Sequence, residues 1–477
     1  MSTGRWAPRS PWASVAIGDQ RAASAAGVTL SCVSLAERRW LRLFTLCVLY
    51  FAQGMPWGFM AITLPTYLAS RGLDATATGA ALAMTTLPYA FKWVWGFVID
   101  AVTIPSLGRR RPWIVLAQGM MAATVGAMLL IPDLTANLDL LVWMIFAHTV
   151  FNALQDVAVD ALAVDLLGDD ERGRANGFMY ASKYAGGIVG AYGLGHIIDW
   201  FGFETSLIVQ ASILFAIMMV PLLVRESSGP AAARPAIGPL FRSIGTAFTL
   251  RSALLVGGLM LSYQLAGGIL TAISPVLFVQ KLGWSPDEYR KMTGLYGLLA
   301  GLAGAAVGGL LAERVGSRRL AAIGCVALAT LWTVFGTSEA AWSNHTFVWA
   351  VAMIETFCVA VVTVSLFAVC MAVSWPRVAA MQFTAYMALA NFSTTLGYKL
   401  AGPAEDGLEY SKIYLLAAGI QLAVIAWLPL IDPGQTRRTL PLPPGVRLSK
   451  LGIAGGVTLL VIFLTLLIVF VLGPLLA

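Results

Sequence analysis

The chain has 477 residues, of which 58% are hydrophobic and only 12% charged, with a mean hydropathy of +0.78. That balance excludes a soluble domain and reads as a polytopic, all-α membrane protein. The formal net charge is +7, but the basic residues gather in loops on one side of the apolar spans, so the charge signals topology and supports no nucleic-acid partner.

Residues 1–40 contain no apolar run of signal-peptide length and read as a disordered cytoplasmic tail. Runs of about 20 apolar residues then place spans at 41–68, 76–99, 113–132, 139–166, 174–198 and 203–225. A Pro/Ala/Arg-rich segment at 226–251 reads as a cytoplasmic linker. Further spans follow at 252–280, 291–312, 320–336, 345–374, 378–402 and 412–431, then a loop at 432–450 and a thirteenth span at 451–476. With the amino terminus in the cytoplasm, 22 of the 31 Lys and Arg residues fall on the cytoplasmic side and five on the other, which sets the orientation. Four lie within spans: Arg42, close enough to a boundary to snorkel, and Lys92, Lys183 and Lys399.

The chain repeats itself. Span 2 ends Gly96-Phe-Val-Ile-Asp100 and runs on to Gly108-Arg109-Arg110-Arg111; span 8 ends Gly309-Leu-Leu-Ala-Glu313 and runs on to Gly316-Ser-Arg318-Arg319. Spans 1 and 7 match through Tyr50-Phe-Ala-Gln53 with Pro65 and Tyr263-Gln264 with Pro275. The economical architecture is two six-helix bundles, 41–225 and 252–431, joined by the linker and followed by one additional C-terminal membrane helix.

On span 4, His148, Asn152, Asp156 and Asp160 recur at i, i+4 spacing and read as one helix face. A carboxylate at bilayer depth costs about 2.5–3.5 kcal/mol on insertion scales, so such a stripe belongs against protein or water and points to an aqueous path. Counted from the cytoplasmic ends of their spans, Lys92, Asp156, Asp160 and Lys183 lie at similar depth, roughly 9–15 Å at 1.5 Å per residue, and can form one cluster. Two lysines and two aspartates balance in charge. Asp156, with Asp160 as second choice, is the proton-coupling candidate, because adjacent, partly desolvated carboxylates are suited to proton exchange; Lys92 and Lys183 would engage an anionic group. A static ion-pair network would use the same residues. Gln155 adjoins the stripe, and Gln53, Gln264 and Asn391 are cavity-lining candidates, although a buried Gln also serves as an interhelical hydrogen-bond partner. Glu355 and Lys399 fall in the outer part of the membrane, where they could pair in the opposite gate.

The G-x-x-x-D/E then G-x-R-R pattern resembles the loop signature of the major facilitator superfamily, and Asp165 followed by Arg172 resembles that superfamily's inner charge-relay motif. The resemblance implies a major facilitator fold and a cytoplasmic latch of Asp/Arg pairs between the halves, made from Asp100, Arg109, Arg110, Arg111, Asp165, Arg172, Glu313, Arg318 and Arg319. Exposed ion pairs are individually weak, about 0–1 kcal/mol, which suits a latch that must open. Phe51-Ala-Gln-Gly-Met-Pro56, Leu87-Pro88-Tyr-Ala-Phe-Lys92-Trp-Val-Trp95, Leu107-Gly-Arg-Arg-Arg-Pro-Trp113 and Leu154-Gln155-Asp156-Val-Ala-Val-Asp160 further resemble the family of AmpG-like muropeptide permeases and acetyl-CoA transporters. That resemblance implies proton-coupled import of a solute such as an anhydro-muropeptide across a bacterial inner membrane; the expected unit is a monomer. The residues themselves support a polar or anionic small-molecule solute. Siderophore or acyl-CoA transport, and a non-transporting membrane sensor or assembly partner docking through 451–476, remain alternatives.

Three absences narrow the chemistry. No Gly-Lys dipeptide occurs, so there is no Walker A phosphate loop and transport would be secondary. The cysteines (Cys32, Cys47, Cys325, Cys358, Cys370) show no CxxC or Cys/His cluster, and the histidines at 148, 196 and 345 have no neighbouring ligand set, so no metal and no cofactor are expected. An enzyme is not expected.

Overall fold

A computed structural model describes residues 33–35, 38–101, 108–226 and 243–440. The expected thirteenth span, most of the tail and most of the linker lie outside the described residues. The same holds for the side chains of Asp100 and Arg172.

Among the described residues the chain forms twelve helical rods, which we number α1 to α12. They are α1 (Arg39–Ser70), α2 (75–101, broken at 91–92), α3 (Arg111–Leu130), α4 (Leu138–Leu166), α5 (169–201), α6 (Phe203–Leu223), α7 (Arg251–Lys281), α8 (Pro286–Val315), α9 (Ser317–Thr337), α10 (His345–Val373), α11 (Ala379–Gly407) and α12 (Tyr410–Ile425). Nine candidate membrane spans, by length and composition, fall on these rods, the last running from the start of α12 on to Thr439. The remaining three are α2, α5 and α11, whose sequences carry more polar groups: Lys92, Lys183 and the run Asn391 to Thr395 with Lys399. They are also among the rods through which the two halves of the sequence meet.

Rod pairings recur with a spacing of six. α1 packs on α5 as α7 packs on α11; α2 on α4 as α8 on α10; α3 on α6 as α9 on α12. Between the halves α2 packs on α11 and α5 on α8, again related by six, with further contacts of α7 with α1 and α2 and of α8 with α1. Two buried apolar cores result, one drawn almost wholly from each half. The repeated loop glycines have a shared backbone cause: Gly108 at φ 101° and Gly316 at φ 90° both adopt a left-handed turn that an L side chain disfavours.

Glycine also sets the α1/α5 spacing. A Cβ on Gly190 would lie 1.9 Å from the Met55 carbonyl oxygen, and one on Gly54 1.9 Å from that of Lys183. The related α7/α11 pair uses Gly268 and Gly397 in the same way, with a Cβ on Gly397 2.5 Å from the Leu265 carbonyl oxygen.

Within the segment expected to be disordered up to residue 40, Val33–Ser34 (β1) instead pairs in parallel with Val224–Arg225 (β2), just beyond α6. Leu35 is buried there and its N–H donates to the Arg225 carbonyl at 3.0 Å. Two residues at the edge of a tail carry no hydropathy period, so the sequence pattern is silent on this pairing.

Candidate functional site

Lys92 sits in a break of α2 that begins one turn beyond Pro88: Phe91 N–H donates to the Pro88 carbonyl at 3.1 Å, Lys92 N–H to that of Tyr89 at 3.4 Å, and the helix restarts at Trp93. The turn places Lys92 Nζ 3.1 Å from Asp156 Oδ2 on α4, while Lys183 Nζ on α5 lies 3.3 Å from Oδ1 of the same carboxylate. Asp156 is thus held between two ammonium groups. Its side chain is 8% exposed, those of Lys92 and Lys183 23% and 31%. The buried carboxylate is the anchor, and the lysines are the parts a solute can reach.

Asp160, one turn on, accepts a hydrogen bond from the Tyr50 hydroxyl of α1. Lys183 Nζ lies 5.7 Å from the centroid of the Tyr50 ring, within cation–π range. Tyr180, exposed on α5, meets Tyr50 edge-on at 5.9 Å, and Lys92 Nζ stands 6.0 Å from the Tyr89 ring. These tyrosines were not singled out by the sequence reading. Tyr50 had appeared there only as part of a repeat, because its partner on another helix leaves no periodic trace.

The stripe on α4 is not a single face. At 3.6 residues per turn an i, i+4 series drifts by about 40° per step, so its ends diverge by about 120°. His148 therefore turns to α3, where its Nδ1 lies 3.0 Å from Thr124 Oγ1, fully buried. Asn152 is buried with Oδ1 lacking a hydrogen-bond partner among the described residues, and only Asp156 and Asp160 join the charged cluster. Gln155 donates to the Leu49 carbonyl at 3.3 Å and ties α4 to α1.

The remaining candidates scatter. Gln53 is 1% exposed inside the first half, with neither amide atom hydrogen-bonded among the described residues. Gln264, its repeat partner, sits half-buried where α7 is interrupted between Ser262 and Leu265. Asn391 is half-buried one turn from Thr395, which meets Thr86 of α2 at 2.7 Å. Glu355 and Lys399 do not pair: Glu355 Oε1 accepts from Trp332 Nε1 at 2.8 Å, and among the described residues neither makes an ion pair. Arg42, expected to snorkel, instead pairs with Glu171 at 2.6 Å.

The latch also differs from expectation. Arg110 Nε meets Asp165 at 2.9 Å, and Glu226 accepts the backbone N–H groups of Arg110 and Arg111 at 2.8–3.1 Å, all within the first half. Arg111 donates to the Pro221 and Leu222 carbonyls. In the second half Arg318 donates to the Ile431 carbonyl at 2.6 Å, while Glu313 and Arg319 are exposed; Arg109 is half-buried in its loop. Each of these pairings lies within one half and its adjoining loop, and the halves are joined at the other end. There Ala75 N–H donates to Glu405 at 2.8 Å, Thr78 to the Ala272 carbonyl at 3.1 Å, and Gln280 to the Ala69 and Leu73 carbonyls at 2.9 and 2.7 Å. Arg290 of α8, 1% exposed, pairs with Asp199 of α5. The histidine reading is corrected at the same place, since His196 is brought beside Asp199 and Asp287.

The model of the Major Facilitator Superfamily matches residues 46–401, and the chain belongs to that superfamily. It is a multi-pass membrane transporter and not an enzyme. Among curated relatives it is similar to the anhydromuropeptide permease of Escherichia coli K12, at 25% identity over 90% of each chain. It is also similar to the putative transporter AmpG 4 of Rickettsia conorii, at 27% identity over 58% of this chain and 69% of that one. The nucleoside transporter NupG (TM-score 0.63, 14% identity, 82% of this chain and 100% of that one) and a D-xylose–proton symporter (0.66, 11%, 83% and 99%) share the fold.

Proposed function

We propose that this protein is a secondary transporter that imports a polar, negatively charged solute with protons across a bacterial inner membrane, an anhydro-muropeptide being the first candidate. The observation that carries the reading is Asp156 held between Lys92 and Lys183, with both ammonium groups partly open to solvent. In the reading, an anionic group of the solute takes the place of Asp156 on Lys183, and one proton taken up by Asp156, or by neighbouring Asp160, keeps the total charge of the cluster unchanged. The cluster therefore alternates between internally paired and solute-paired states of equal charge, which avoids the large desolvation penalty of an unpaired ion. The name of one relative, the anhydromuropeptide permease of Escherichia coli K12, supports the solute class. The excess of Lys and Arg on one side supports a cytoplasmic amino terminus, so that the end with Arg110 and Arg318 faces the cytoplasm, and joining of the halves at the opposite end supports an inward-open reading. The proposed unit is a monomer of two bundles, 41–225 and 252–431, joined by 226–251.

The test is uptake of anhydro-muropeptide, ferri-siderophore and acetyl-CoA into vesicles with an imposed proton gradient, comparing wild type with Asp156→Asn. Gradient-driven uptake of one solute, lost in the variant at normal protein levels, is the expected result. Uptake that Asp156→Asn leaves unchanged would make the cluster a static ion-pair network.

A further inference from the structure

At the closed end, α5 and α8 meet through a set of donors from both halves of the chain. His196 Nδ1 lies 3.2 Å from Asp287 Oδ1 and 4.0 Å from Asp199 Oδ2, and one donor atom from each of the three residues lies within 4.8 Å of the others. The charges around His196 do not balance. Arg290 pairs with Asp199, but among the described residues Asp287 has no ammonium or guanidinium partner, and its Oδ1 is buried without a hydrogen bond. With a neutral imidazole the four residues carry one uncompensated negative charge.

The spacing suits a small cation. Tetrahedral Zn2+ with bonds of about 2.0–2.2 Å to nitrogen and carboxylate oxygen sets its donors about 3.3–3.6 Å apart. The His196–Asp287 separation of 3.2 Å is already close to that, and Asp199 Oδ2, 4.0 Å from His196 Nδ1, lies slightly beyond it. An imidazole with two carboxylates is a borderline donor set that favours Zn2+ and its first-row neighbours over Mg2+ or Ca2+. The His196 ring is held between Tyr192, at 4.5 Å, and Trp200, stacked at 5.4 Å, so its plane is set beforehand. Arg290 would act on the ligand Asp199 as the outer hydrogen-bond partner that orients a metal-bound carboxylate.

We propose that His196, Asp199 and Asp287 form a binding site for a divalent first-row transition metal ion, Zn2+ being the type, which exists only while this end is closed and clamps it shut. Two of the donors are on α5 and the third precedes the body of α8, so separating the halves divides the set. A ligand that binds one conformation alone stabilises that conformation by mass action.

The experiment titrates Zn2+ into the purified full chain, following heat and melting temperature, for wild type, His196→Gln and Asp287→Asn. All three side chains are partly exposed, so both variants are expected to fold, and each variant's zinc-free melting curve checks this; either one suffices. One Zn2+ per wild-type chain, with affinity at least tenfold weaker and the melting shift lost in a variant, is the expected result. No binding in wild type, or binding that both variants retain, would overturn the site. In vesicles Zn2+ on this side should slow wild-type uptake and spare His196→Gln; binding without any slowing would overturn the clamp. The binding arm needs no solute, so its failure is separable from failure of the transport reading.

Discussion

At the scale of single residues, polarity alone does not mark the working groups; the partner does. Asp156 and Gln53 are both buried polar side chains of the first half, yet Asp156 has two cationic partners and Gln53 has none among the described residues. A buried amide without partners costs about 1–3 kcal/mol relative to a satisfied or apolar one. Gln53→Leu, close in volume, is therefore expected to raise the melting temperature of the detergent-solubilised protein by a few degrees and to leave uptake intact. A loss of uptake at unchanged stability would return Gln53 to the solute path. The charged cluster was legible in the sequence because depth can be counted along a span, and three spans brought opposite charges to one level. Tyr50 and Tyr180 were not, since their role depends on which helix faces which, and counting along one helix does not contain that.

At the scale of elements, the bilayer makes helices easy to read and their ends harder. Every described span was anticipated within a few residues at most ends, because an apolar run in lipid has few alternatives to a helix. The departures have local causes. The break in α2 at 91–92 falls just beyond Pro88, around which the helix itself continues, at a point that a run of apolar residues does not mark. The α1/α5 contact rests on glycines whose absent Cβ atoms let backbones touch, and here the structure gives the sequence pattern its meaning. Gly190→Ala would drive a methyl group to 1.9 Å from the Met55 carbonyl, which the helices can relieve only by separating. Overpacking of this kind costs about 1–3 kcal/mol. The expected outcome is a fall of several degrees in melting temperature, whereas Gly126→Ala, where a Cβ would meet nothing within 4 Å, should be neutral. Equal melting of the two variants would show that the α1/α5 approach is loose.

At the scale of the molecule, the repeat fixes which rods pair but not which end is shut, because both open states preserve the packing inside each half and differ only between halves. Loop charges report the side of the membrane, not the state. The closed end is therefore knowledge that only the contacts between the halves supply: α5 with α8, α2 with α11, and α7 with α1 and α2. Its consequence is directional. Tyr180 and Lys183 share one face of α5 with Gly187 and Ala191; at Gly187 and Ala191 that face meets Leu298 and Gly294 of α8, while Tyr180 is exposed. In a background lacking the native cysteines, Tyr180→Cys is expected to react with a membrane-impermeant maleimide added from the side of residues 109–111 and to be protected from the side of Arg290. If the proposed exchange of solute for Asp156 drives the halves over, adding solute should slow that reaction and open labelling from the other side. Reaction from the Arg290 side without solute would mean that the contacts joining α5 to α8 do not seal the path, and the clamp and the inward-open assignment would fall together.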